Sequence, residues 1–107
     1  MGFFKQDDMQ DKVLFPGCRA NMVHTDNMTI SHVRLDAGAV VPEHSHEHEQ
    51  ISNVIEGRFQ FAINGETMVM GPGDSGVMPS HAVHSGKALT DCYIIDIFYP
   101  VRQDYKN

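Results

Sequence analysis

Tryptophan is absent from this 107-residue chain and cysteine occurs only twice. No apolar run approaches the ~18 residues that a helix needs to cross a bilayer. These absences exclude a disulfide-built scaffold and a helical membrane span. Basic residues are also scarce, eight Lys and Arg against fourteen Asp and Glu for a net charge of -6. Neutralising phosphates takes clustered cations, so a general nucleic-acid partner is not expected. An anionic substrate would need a local exception to that acidity. The opening MGFFKQDDMQDK lacks the continuous apolar stretch of an export signal. The chain is therefore expected to be cytoplasmic, with Cys18 and Cys92 reduced and packed rather than bridged.

What is present is an ordinary globular composition, 41% hydrophobic with nine glycines and five prolines. The length fits one domain, residues 1–107. From residue 28 onward short apolar-rich segments are cut at intervals by Gly, Pro, Asn and Asp, and no stretch sustains a helical period. In RFQFAINGETMVM, Phe59, Phe61 and Ile63 alternate with polar neighbours. Asn64-Gly65 then supplies the positive φ angles of a two-residue hairpin, and Met68 and Met70 continue the return strand. Residues 28–36, 51–57 and 91–100 read as further strands, GPGD at 71–74 as a tight turn and SGVMP as a short strand stopped by Pro79. About seven strands without a covering helix predict an all-β barrel or sandwich. Residues 1–12 are expected to form a short helical turn or an arm that pairs with another subunit.

The stretch PEHSHEHEQ, residues 42–50, carries three histidines and three glutamates. On an extended strand, side chains two apart share a face, so His44 and His46 can converge on one ion at Zn–N distances of about 2.0 to 2.1 Å. Glu43, Ser45 and Glu47 would face away. A turn before residue 50 leaves His48, Glu49 and Gln50 as alternatives for the next ligand on parity alone. The acid Asp96 shares a strand face with Phe98, opposite Ile95 and Ile97. Facing an interior, it would be costly unless paired or functional, which makes it a candidate acid/base. An ion pair with Arg19, Arg34 or Arg58 is the alternative.

A wider pattern runs through these residues. Gly38, five residues, His44, one residue, His46, three residues, Gln50, six residues and Gly57 resembles the first motif of the cupins, spanning 38–57. Gly73, five residues, Pro79, one residue, His81, two residues and His84 resembles the second, spanning 73–84. The resemblance implies a single-domain cupin, a double-stranded β-helix or jelly-roll barrel. It also implies a divalent metal ion held by His44, His46, Gln50 and His84. Gln50 stands where glutamate is usual, His81 where glycine is usual and Ala88 where asparagine is frequent. His48 is expected at the rim or behind the ligands, Glu43, Glu47 and Glu49 in a solvated rim, and His24 and His32 in packing or at the surface.

Together with the metal motif, the arrangement D-x-F-x-x-x-R over Asp96, Phe98 and Arg102, the opening FFK and the ending PxRxDY are similar to the small pectin-degradation cupins. That resemblance implies ketonisation of 4,5-unsaturated monouronates released from pectin or alginate. Asp96 would carry the proton, Phe98 would wall the sugar face and Arg102 would clamp the carboxylate. Ni, Zn, Mn or Fe would serve as the ion, since no redox step is required. The family further suggests a homodimer. The competing readings are an Fe(II)-dependent dioxygenase and a non-catalytic sugar- or metal-binding module, with Arg102 then a surface residue paired to Asp104.

Overall fold

The computed structural model describes residues 2–106. Ten strands follow a short 3-10 turn at Gln6–Asp8: β1 (Lys12–Phe15), β2 (Cys18–His24), β3 (Thr29–Leu35), β4 (Val40–His44), β5 (Glu49–Glu56), β6 (Phe59–Ile63), β7 (Glu66–Met70), β8 (Ser75–Met78), β9 (His84–Ala88) and β10 (Cys92–Tyr99). A second 3-10 turn, Gln103–Tyr105, closes the chain. The strands form two antiparallel sheets, ordered β1-β2-β3-β10-β5-β8 and β4-β9-β6-β7. This is the all-β jelly roll that the motifs imply, with ten strands rather than about seven; β9, HSGKA, is among those not expected, having no apolar–polar alternation. Among the described residues no helix is long and apolar enough to cross a membrane.

The expected hairpin is β6-β7, with Asn64 and Gly65 at φ values of 48° and 84°. That pair of positive angles matches the twist of the flanking strands. Its inward residues Phe59 and Phe61 stack edge to face at 4.6 Å in the core. Asn64 does more than turn the chain. Its backbone N–H reaches the Val83 carbonyl at 2.8 Å and its side-chain oxygen accepts from the Val83 N–H at 3.1 Å. The residue before His84 is thereby fastened to the hairpin tip.

In the larger sheet the inward positions of three adjacent strands fall into rows across β3, β10 and β5. Val33, Ile94 and Val54 make one row, Ser31, Asp96 and Ser52 the next, and Thr29, Phe98 and Gln50 the one after. Along the barrel axis the interior therefore changes from apolar to polar, and one layer of side chains lies between core and site. The apolar end is sealed by Cys18, Leu35, Phe59 and Ile94, all buried. Cys18 and Cys92 are free and buried, as expected. Burial, with the charge of Asp96 adding to it, pushes the Cys18 thiol up to about 11, so it stays protonated.

Candidate metal centre

His44 ends β4, His84 begins β9 and pairs with it, and His46 follows two residues later in the turn before β5. The expectation of one strand carrying both His44 and His46 is thus corrected: β4 stops at His44, and the bend at 47–48 redirects the chain. The rings still converge. Ring centroids lie 4.2 Å apart for His44 and His84, 4.9 Å for His46 and His84, and 5.6 Å for His44 and His46. One nitrogen from each ring lies within 4.8 Å of the others.

Each ring donates its Nδ1–H to a backbone carbonyl: His44 to Pro42 at 2.7 Å, His46 to His48 at 3.1 Å and His84 to Ala82 at 2.9 Å. A neutral imidazole has one N–H, so every Nε2 is left with a bare lone pair. Burial lowers the pKa of His84, and burial together with the charges of Arg102 and His84 pushes His46 down to about 4. Both of these rings are therefore neutral at neutral pH.

Two lone pairs have no proton donor to meet. His84 Nε2 is buried and without a hydrogen-bond partner. His46 Nε2 faces the Gln50 carbonyl oxygen Oε1 at 3.1 Å, acceptor against acceptor. Such an arrangement is unfavourable unless a positive charge sits where the lone pairs meet. The residues present fit a divalent ion with imidazole and amide oxygen donors. His48 lies outside the group, its ring edge-on to His46 at 5.3 Å and near Phe98. His81 is exposed and points its turn, not its ring, at the site: its N–H binds the His46 carbonyl at 2.7 Å. Glu43, Glu47 and Glu49 are exposed, as expected of a rim.

Asp96 lies beside this cluster. Ser52 donates to its Oδ1 at 2.5 Å and in turn accepts from Gln50 Nε2 at 3.0 Å. The carboxyl is half-buried and borders the open cavity that His44, Gln50, His84, Phe98 and Arg102 also line. Burial pushes it up to about 6, against the pull of the Ser52 hydrogen bond, the nearby Gln50 amide and the Arg102 charge. No ion pair among the described residues involves Asp96. Arg19 reaches Asp11 and Asp36, and Arg34 lies over the Tyr93 ring.

Arg102 does pair with Asp104, through Nε at 3.0 Å and Nη2 at 2.8 Å, but it is not a surface residue. Only 7% exposed, its guanidinium lies over the rings of Phe98 at 4.7 Å and Tyr105 at 4.0 Å. A hydrogen bond from its backbone N–H to Thr29 Oγ1, 3.0 Å, ties this segment to β3. Phe98 thus supports the arginine with one ring face. Ser52, Tyr105 and Thr29 escape the sequence reading. Ser52 shares its strand parity with Gln50 and is legible in principle; Tyr105 stands in the PxRxDY ending without a visible task.

A jelly roll whose mouth gathers three histidines from two motifs defines a cupin. The chain belongs to the cupin domain family, which matches residues 31–98. Within it, the chain is similar to the solved structure of KdgF from Halomonas sp., at 35% identity and a TM-score of 0.93 over 99% of both chains. An RmlC-like cupin from Shewanella frigidimarina NCIMB 400 superposes with a TM-score of 0.94 at 28% identity, covering 99% of this chain and 96% of that one. The pectin degradation protein KdgF of Dickeya dadantii strain 3937 is 27% identical over 106 residues, 96% of each chain.

Proposed function

We propose that this cupin is a metal-dependent enzyme that accelerates ring opening and tautomerisation of 4,5-unsaturated monouronates from pectin or alginate. The observation that carries the reading is one cavity mouth holding a cation-ready histidine cluster, a half-buried carboxyl and a buried arginine. Similarity along almost the full chain to a protein named for pectin degradation, and to the KdgF of Halomonas sp., supports the substrate class. His44, His46, His84 and Gln50 would hold the ion, Ni, Zn, Mn or Fe, which when bound supplies Lewis-acid pull on a carboxylate or ring oxygen. Four neutral donors leave its charge uncompensated, the local exception that an acidic protein needs to attract an anionic sugar.

Asp96 is the proton carrier. Ser52 occupies Oδ1, which leaves the other oxygen to take the ring-hydroxyl proton and return it to the enol carbon. The product is an isomer of the substrate, so no electrons enter or leave. Arg102 uses two of its N–H groups on Asp104 and keeps others for the sugar carboxylate.

The test mixes metal-loaded protein with freshly generated unsaturated monouronate and follows loss of its absorbance against the spontaneous rate. Acceleration is expected, and Asp96→Asn should abolish it while the ion stays bound. Full turnover by that variant removes Asp96 from the mechanism. No acceleration with any of the four metals favours a binding module, and oxygen uptake with an aromatic or thiol substrate favours a dioxygenase.

We also propose a homodimer. Across the outer face of the larger sheet, Val23, Ile30, Ile97, Ile51 and Val77 pair in one row over five strands. Its centre is open, with Ile97 42% and Ile51 44% exposed. An apolar row extending both ways from Ile97 is self-complementary about a two-fold axis, as an isologous contact requires. Sedimentation should give twice the chain mass, and Ile97→Glu should give monomers; a wild-type monomer at micromolar concentration overturns the pairing.

A further inference from the structure

We infer that Ser52 sets the polarity of the candidate metal centre: the Asp96 acceptor dictates, through the Ser52 hydroxyl, which end of the Gln50 amide faces the histidines. This rests on the reading that the histidine cluster holds a divalent ion. The three side chains form an unbroken chain, Gln50 8% and Ser52 1% exposed and Asp96 half-buried, within adjacent rows of β5 and β10. A carboxylate only accepts hydrogen bonds, and a serine has one proton to give. That proton goes to Asp96 Oδ1 at 2.5 Å. Ser52 then has only lone pairs left, so Gln50 must present its NH2, as the 3.0 Å contact shows. Because the amide is planar, its carbonyl oxygen is left on the other branch, 3.1 Å from His46 Nε2. The acceptor needed by a cation is selected by a carboxylate two hydrogen bonds away.

The same bonds account for glutamine where the motif usually carries glutamate. A glutamate carboxylate in place of the Gln50 amide has no donor, so one serine proton would serve two acceptors, and two like charges would stand in adjacent rows. An amide at residue 50 and a carboxylate at residue 96 are compatible through one hydroxyl; two carboxylates are not. Any change that lets the amide turn presents N–H groups to the ion and weakens its binding.

Titration calorimetry of the metal-free full chain with Zn2+ tests this without reference to turnover. Ser52→Ala is expected to lose about 10- to 100-fold in zinc affinity, the usual effect of removing a partner that orients a ligand. Ser52→Thr keeps the hydroxyl and should bind within a few fold of wild type. Asp96→Asn, whose carbonyl oxygen accepts the same proton, should also bind near wild type, and Asp96→Leu, which cannot, should be weak like Ser52→Ala. Circular dichroism checks the fold of each variant, and if Ser52→Ala misfolds, the Asn and Leu pair at residue 96 decides alone. Equal zinc affinity in wild type and Ser52→Ala, in Asp96→Asn and Asp96→Leu, or in Ser52→Thr and Ser52→Ala overturns the inference. His84→Ala separates the two layers: wild type binding no better than His84→Ala overturns the metal reading itself, and the polarity inference with it.

Discussion

His81 occupies the left-handed region at φ 66°, the conformation for which the second motif usually supplies glycine. The backbone of that turn is kept because the His81 N–H must reach the His46 carbonyl. For a residue with a Cβ this region costs roughly 1–2 kcal/mol, partly offset in glycine by about 0.5–1 kcal/mol of extra chain entropy. His81→Gly is therefore expected to raise stability by up to about 1 kcal/mol, seen as a melting temperature a few degrees higher. A lower midpoint would show that the imidazole makes a contact that matters. His32, away from the candidate centre, gives one part of the pH dependence. Its Nδ1 lies 2.7 Å from the Tyr93 hydroxyl, and burial first, then the Arg34 charge, lowers its pKa in the folded chain. The unfolded ring therefore binds a proton first as pH falls. The contribution is complete above the unfolded pKa of about 6.5 and is lost as pH drops below it. In the metal-free protein, unfolding free energy from urea melts should rise between about pH 5 and 7, with a smaller slope in His32→Gln.

At the scale of elements, the site is made by strands whose inward faces change character along their length. β3, β10 and β5 each read apolar at one end and polar at the other, and antiparallel register aligns those changes. Alternation in RFQFAI and DCYIIDIF is visible in the sequence, and so are both faces of β10. The place where β4 ends is not, because HSH reads equally well as a strand and as a strand leaving into a turn. Gly86 has a comparable hidden role. A Cβ there would collide with the buried Phe59 ring and lie 3.2 Å from the Gln60 carbonyl, so β9 can lie against β6 only with hydrogen at that position. Gly86→Ala should cost at least the roughly 1–3 kcal/mol of an overpacked core. It should also weaken metal binding, since His84 is carried on the same strand. An unchanged urea midpoint would contradict the close packing.

For the molecule as a whole, the candidate centre joins β4, β9 and the turn before β5, so an ion bound there links both sheets. Such an ion would bind the folded chain and have little affinity for the unfolded one, which does not bring these ligands together. At a hundred times its dissociation constant, a divalent ion adds about 2.7 kcal/mol, which for a domain of this size raises the melting temperature by on the order of 10 °C. A scan with and without Zn2+ or Ni2+ should show the shift, and chelation should reverse it. The sequence by itself determined the all-β class, the hairpin at Asn64-Gly65, the two cupin motifs and the residues worth watching, because turn chemistry, alternation and spacing are local. Only the tertiary structure decided that Arg102 is buried between two aromatic rings, that Phe98 supports it, and that Ser52 joins Gln50 to Asp96. Those relations depend on how β10 registers against β5 and how the C-terminal turn folds back onto β3, and on which neighbour has a proton to give. Register and hydrogen-bond direction belong to pairs of distant residues, and spacing along one chain does not specify them.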